Sequence, residues 1–277
     1  MSAAPTPYPT VAFLGGGNMA AALIGGLLKT GWPKDRILVA EPVAERAIWL
    51  AEQFGVAVQE AGAAIVADAD ALVLAVKPQQ LSAAVADLPL KAGAVVVSIA
   101  AGVRLATLQR LMGSHIEYVR TMPNTPALLG AGITGLFAPS GTPAEARALA
   151  ERLLAAAGAC VWVDEESQLD AVTALSGSGP AYFFLLVEAL RDAGAALGLQ
   201  PDVAAQLAAQ TCVGAARMVG ESGLDASILR ANVTSKGGTT EAALLHLESA
   251  GLRAMFATAL QHADARAKAL GDALDQI

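Results

Sequence analysis

Through the first half of the chain, short continuous apolar runs alternate with stretches whose apolar residues recur at helical spacing. Residues 10–14 form one such run and end in three glycines, and residues 19–29 follow with apolar positions three and four apart. The pattern then repeats as a run at 37–40, a helical pattern over 44–54, a weaker apolar stretch at 56–58, and continuous runs at 71–76 and 95–99. Runs at 116–119 and 132–137 add two more, and 161–163 is an eighth candidate. Runs without polar alternation suit strands covered on both faces, and strand-then-helix alternation implies parallel strands joined by crossover helices. The expected architecture is α/β, a doubly wound sheet with helices on both sides.

After about Asp164 strand candidates vanish and alanine-rich helical stretches continue to the C-terminus. The chain therefore divides into residues 1–164 and an all-helical second domain, 165–277. Gly177, Gly179 and Pro180 open a helix that reaches about Leu197, and Gly198 with Pro201 close it. Asp202 starts another that ends near residues 220–223. A loop at 234–239 precedes a further pair of helices broken at Gly251. Helices this apolar, in a chain with so little charge, imply a face buried against another subunit. A homodimer joined through the helical domain is expected.

Composition narrows the partners. The 277 residues carry 18 Lys and Arg against 25 Asp and Glu, a net charge of −7, which speaks against a surface built to neutralise nucleic-acid phosphates or anionic lipid. Apolar residues make up 55% and no apolar stretch approaches the ~18 residues of a bilayer crossing, so no membrane span is expected. The opening MSAAPTPYPT has neither a basic nor an apolar signal region and reads as a short flexible leader, which makes cytoplasm the expected compartment. Cys160 and Cys212 stand far apart without metal-ligand spacing, so two reduced thiols are expected and no metal site.

The candidate chemistry sits at the glycines. Gly15-Gly16-Gly17-Asn18-Met19-Ala20 places G-x-G-x-x-A between the first strand and the first helix. In that position Gly15 permits the tight turn, Gly17 lets backbone approach a pyrophosphate, and Ala20 lets helix and sheet come close; the helix N-terminus supplies donors. This makes the first domain Rossmann-like and a dinucleotide its ligand. Glu41 closes the second strand, where a carboxylate accepts ribose hydroxyls of NAD and opposes the 2′-phosphate of NADP. Arg46, one turn into the next helix, either folds back over a phosphate or is a solvated charge. Ala75, Val76, Lys77 and Pro78 follow the fourth strand at the ligand-binding edge, with Lys77 beside the dinucleotide or in solvent. Met122-Pro123-Asn124-Thr125-Pro126 is a proline-stiffened loop that either walls the nicotinamide or is a plain turn. Two polar islands, 176–180 and 234–240, each precede a helix and are built either as anion cradles or as ordinary caps. His115, His246 and His262 lie in neither island, and no hydrolase or metalloprotease signature occurs. A nicotinamide redox reaction, in which the protein supplies orientation and electrostatics, needs none of them.

The motifs F-L-G-G-G-N-M-A, A-V-K-P-Q, R-T-M-P-N-T-P-A, L-S-G-S-G-P-A-Y and V-T-S-K-G-G-T-T-E-A, in this order, resemble those of the pyrroline-5-carboxylate reductases, from about Thr10 to the C-terminus. The resemblance implies an NAD(P)H-dependent reductase with a dinucleotide domain and a helical dimerisation domain, assembled as dimers and often as rings of dimers. It assigns Gly15, Gly17, Asn18, Met19, Glu41, Ala75, Val76, Lys77, Pro78 and Asn124 to the cofactor, NADP first and NAD close behind. It assigns Ser235, Gly237, Gly238 and Thr239 to the carboxylate of pyrroline-5-carboxylate. It implies that Thr240 is the catalytic residue, its hydroxyl on the ring nitrogen, and that each site takes this loop from the partner subunit. Glu221 either shapes the site or is a helix-end charge. Lys236 stands where the family usually has Pro, and Gly62 where many members carry Asn. Two other readings are a 3-hydroxyacid-type dehydrogenase of similar architecture and a dinucleotide-binding regulator without activity.

Overall fold

A computed structural model describes residues 8–276, so the leader reading, which falls mainly on residues 1–7, lies outside the described residues. Eight strands form one sheet: β1 (Val11–Leu14), β2 (Ile37–Ala40), β3 (Ala57–Gln59), β4 (Ala71–Leu74), β5 (Val95–Ser98), β6 (Glu117–Met122), β7 (Gly132–Phe137) and β8 (Gly158–Trp162). Their order is β3-β2-β1-β4-β5-β6-β7-β8. Successive side chains of a strand point to opposite faces, and both faces are greasy here. Val11, Phe13, Val39, Val73 and Val97 face α1 (Asn18–Lys29) and α2 (Ala44–Phe54). Ala12, Leu72, Leu74 and Val96 face α3 (Ala63–Val66), α4 (Leu81–Val85) and α5 (Leu105–Met112). This two-sided burial is why β1, β4 and β5 read as unbroken apolar runs.

One expectation fails. β7 pairs antiparallel with β6, Thr121 opposite Leu136, whereas every other pairing is parallel. β6 runs on to Met122, which shortens the connection to β7 below the dozen or more residues a crossover needs. The chain turns back through Thr125–Leu129 instead. Helix α6 (Ala144–Ala155) then restores a parallel crossover to β8.

Helices α7 (Gln168–Val172), α8 (Gly179–Ala196), α9 (Pro201–Glu221), α10 (Ala226–Asn232), α11 (Thr239–Ser249) and α12 (Leu252–Leu274) complete the chain. Two compact units result, 1–178 with 263–277, and 179–262. Their division differs from the expected one at 164/165. Leu169 and Val172 of α7 close over Gly135 of β7, and Leu274 enters the core beneath α5, so both segments belong with the sheet. The tail is also clamped by charge: Arg104 pairs with Asp272 and Asp275, and Asp275 accepts the Thr107 hydroxyl.

The second unit has almost no interior of its own. Gly179, Ala204 and Ala208 are its only buried residues, while Phe183, Phe184 and Leu185 are 60%, 63% and 65% exposed. Fully burying one such side chain contributes about 1.5–3 kcal/mol. A helical unit that leaves so many uncovered in a single chain lacks the means to hold itself together alone.

Candidate active site

A cleft of about 690 Å³ opens at the C-terminal ends of β1, β2 and β4. It lies where the strand order reverses between β1 and β4, the place at which sheets of this type bind ligands. Gly15, Gly17, Glu41, Ala75, Val76 and Lys77 line it, as does Gly62. Gly15 has φ 99°, and a Cβ there would lie 2.8 Å from the Ala75 carbonyl oxygen, so only glycine lets β1 turn beside β4. Gly17 is different: no atom of the protein lies within 4 Å of where its Cβ would be. Its bare backbone leaves room in the cleft rather than relieving an internal clash. Gly17 is also the N-cap of α1, no side chain caps it, and no acidic residue stands in the first turn. Asn18 and Met19 therefore open a helix terminus ready for an anion. Ala20 is fully buried, as close helix–sheet packing requires.

Two charges define one end of the cleft. Glu41 accepts the Gly16 amide through Oε2 and the Val43 amide through Oε1, both at 2.9 Å. These donors fix its carboxylate on the wall of the cleft. Arg46 reaches the glycine turn: its Nε donates to the Gly16 carbonyl at 2.7 Å, and its guanidinium stacks 4.2 Å from the centre of the Trp49 ring. Opposite charges thus engage the N–H and the carbonyl of one glycine residue. Lys77 is exposed and caps a short turn begun by Pro78.

Asn124 is buried, and its side chain is already engaged. Its Oδ1 accepts the Ile133 amide at 2.9 Å and its Nδ2 donates to the Ser176 carbonyl at 3.1 Å. The island at 176–180 is not an open loop. Residues 173–177 form a wide helical turn in which the Ser178 amide donates to the Thr173 carbonyl, 2.8 Å away and five residues back. Ser176 Oγ bonds back to the Val172 carbonyl. The Ser178 amide is thereby drawn into helical bonding, which fits the capping alternative for this island.

The second island, in the helical unit, is a loop. Gly237, at φ 73°, turns the chain so that the Gly238 amide donates to the Ser235 carbonyl at 3.0 Å. Gly238 is the N-cap of α11, with no side chain capping it, and Thr239 and Thr240 are the first two helical residues. Ser235, Lys236 and Thr239 are exposed. Glu241 Oε2 accepts the Gly237 amide at 2.6 Å, so a carboxylate already occupies one donor of this loop. Glu221 pairs with Arg217 one turn back at 2.9 Å, both exposed, which fits the helix-end reading.

Sequence reasoning passed over one cluster. Arg120 on β6 is 4% exposed and pairs with Glu166 at 2.9 Å and Asp170 at 3.7 Å. The signal was an arginine inside an apolar strand, in the R-T-M-P-N motif itself.

Known families match both parts of the chain. A family model described as pyrroline-5-carboxylate reductase dimerisation matches residues 166–270, and one described as NADP oxidoreductase, coenzyme F420-dependent, matches 10–102. The chain is 46% identical over 270 residues to pyrroline-5-carboxylate reductase of Pseudomonas aeruginosa, covering 97% of this chain and 99% of that one. It resembles the solved structure of a pyrroline-5-carboxylate reductase from Coxiella burnetii with TM-score 0.91 at 40% identity, over 95% and 98% of the two chains. A Plasmodium falciparum pyrroline carboxylate reductase solved with NADP bound gives TM-score 0.82 at 26% identity, over 96% and 99%.

Proposed function

This chain belongs to the pyrroline-5-carboxylate reductase family, and we propose from that premise that it reduces 1-pyrroline-5-carboxylate to L-proline, the last step of proline synthesis. The observation that carries the reading within this structure is the cleft at the β1/β4 switch point, with its left-handed Gly15, its unobstructed Gly17 and the uncapped start of α1. These features fit a dinucleotide. When bound, NAD(P)H supplies the hydride that reaches C5 of the cyclic imine. Gly15, Gly17, Asn18 and Met19 take its pyrophosphate, and Ala75, Val76, Lys77 and Pro78 flank it along β4. The loop 122–126 walls the nicotinamide end, with Asn124 holding the wall in place by its side chain.

The loop 235–240 takes the substrate. Its exposed hydroxyls and the amides at the start of α11 suit a carboxylate, and Ser235, Gly237, Gly238 and Thr239 surround it. Thr240 holds the ring nitrogen through its hydroxyl. A protonated imine is already electrophilic, so fixing its orientation supplies much of the rate. The helical unit, short of an interior as a single chain, supports a homodimer, and the dimers assemble further into a ring; each site takes its substrate loop from the partner subunit. NADPH is the first choice of reductant and NADH the second. The compartment is the cytoplasm, where the unpaired Cys160 and Cys212 stay reduced.

The test is NAD(P)H oxidation by the purified protein with pyrroline-5-carboxylate and, separately, with acyclic semialdehyde acids. Turnover of the cyclic imine is expected. Preference for an acyclic substrate would favour a 3-hydroxyacid-type dehydrogenase, and cofactor binding without turnover would favour a regulator.

A further inference from the structure

Two chain segments run side by side behind the loop 122–126, cross-linked at both ends. At one end Arg120, on β6, pairs with Glu166 and Asp170. Four residues further along the chain, just past the end of β6, Asn124 donates to the carbonyl of Ser176, six residues beyond Asp170. Between these links the Met122 side chain lies against Gly177, where a Cβ would come within 2.5 Å of Met122 Cε.

The chemistry of the second link follows from Pro180. In a regular helix the Ser176 carbonyl would accept the amide of residue 180, but proline has none. A carbonyl that is partly shielded from water and has no donor is costly, and Asn124 donates to this part-buried one. The first link explains a buried guanidinium. Removing an arginine from water costs several kcal/mol, and a well-packed apolar residue is often the more stable choice. Stability alone is a poor reason for Arg120. Geometry is a better one: Glu166 Oε1 accepts from both Arg120 and the Leu105 amide at 2.8 Å, tying β6 to the start of α5. Asp170 sits on α7, which runs directly into the wide turn 173–177.

We propose that Arg120 is a positioning residue for hydride transfer. Through Glu166 and Asp170 it fixes α7 and the turn 173–177 against Met122 and Asn124, so that the wall at the nicotinamide end has one shape. This rests on the reading, given above, that the loop 122–126 faces the nicotinamide.

Arg120→Met and Arg120→Lys test it in the full-length assembled protein. The readouts are cofactor-binding sites by titration, cofactor Kd, and kcat per titrated site. Arg120→Met is expected to keep its sites and Kd, which depend on the glycine turn, while kcat per site falls about 10- to 100-fold, the scale of a small misplacement of reacting groups. Arg120→Lys should lie above Arg120→Met. A purely structural role would lower the number of sites and leave kcat per site unchanged, and that result overturns the proposal. If Arg120→Met does not fold, Asp170→Asn carries the test, since it leaves Arg120 paired with Glu166. It should lower kcat per site with sites intact, and an unchanged kcat per site would overturn the proposal. Failure of the functional reading looks different: the unaltered protein would then not turn over pyrroline-5-carboxylate with either reductant.

Discussion

The Glu41 carboxylate and the Gly16 amide meet at 2.9 Å, which places a fixed negative charge beside the glycine turn, while Arg46 holds the carbonyl of the same glycine at 2.7 Å. A 2′-phosphate entering this end of the cleft meets repulsion from one and attraction from the other. Glu41→Gln removes the charge and keeps an acceptor for Gly16. Its ratio of kcat/KM for NADPH over NADH should rise about tenfold, equivalent to ~1.4 kcal/mol. Arg46→Gln should move the ratio the other way. Steady-state kinetics with both cofactors decides, and an unmoved ratio in both variants would place the discriminating contacts elsewhere.

Thr240 stands at the second position of α11, two residues after Gly238, the N-cap, which carries no side-chain cap. On the proposed reading its hydroxyl holds the ring nitrogen of the substrate and takes no part in binding the cofactor. Thr240→Ala should lower kcat about 10- to 100-fold, the low end of what a positioned proton-transfer or hydrogen-bonding group contributes. Cofactor Kd should be nearly unchanged, and Thr240→Ser should recover much of the loss. Loss of cofactor binding in Thr240→Ala would contradict the role given to this residue.

The sheet was legible where one rule dominated. Residues 71–74 and 95–98 are buried on both faces, and their unbroken apolar runs reported that directly. The glycine turn was legible because Gly15 is required by φ and by the nearness of Ala75. The direction of β7 was missed because it depends on how far β6 extends, and the polar Arg120 and Thr121 hide its last turn of strand. The island at 176–180 looked like a loop because serine and glycine favour loops. There the helix persists by widening around a proline that lacks a donor. Arg120 was overlooked because an ion pair between a strand and a turn 46 residues later has no local pattern.

Phe183, Phe184 and Leu185 follow one another on α8, each more than half exposed in the single chain, in a unit that buries only Gly179, Ala204 and Ala208. Folding of that unit should therefore be coupled to association. Thermal melts should show Tm rising with protein concentration, as mass action requires when the folded state is a dimer. Phe184→Glu should shift sedimentation toward monomer and lower Tm. A Tm independent of concentration, with the variant still dimeric, would remove α8 from the interface.

Asp170 is 7% exposed, and burial pushes its carboxyl above the usual 3.8. Arg120, Arg104 and Lys268 pull it down and Asp264 pushes it up, without reversing that direction. A carboxyl whose folded pKa is raised binds its proton more tightly in the native state. Its stabilising contribution is complete below about 3.8 and is lost as pH rises through the folded value. Asp170→Asn carries a neutral group at every pH and is exempt from that loss. The stability of the unaltered protein relative to Asp170→Asn should therefore fall from about pH 4 toward pH 7 and flatten once Asp170 is ionised. Urea unfolding of both proteins across this range measures it. A difference that instead grows in favour of the unaltered protein would mean that Arg120 holds the carboxylate more strongly than burial disfavours it, and that Asp170 is lowered rather than raised.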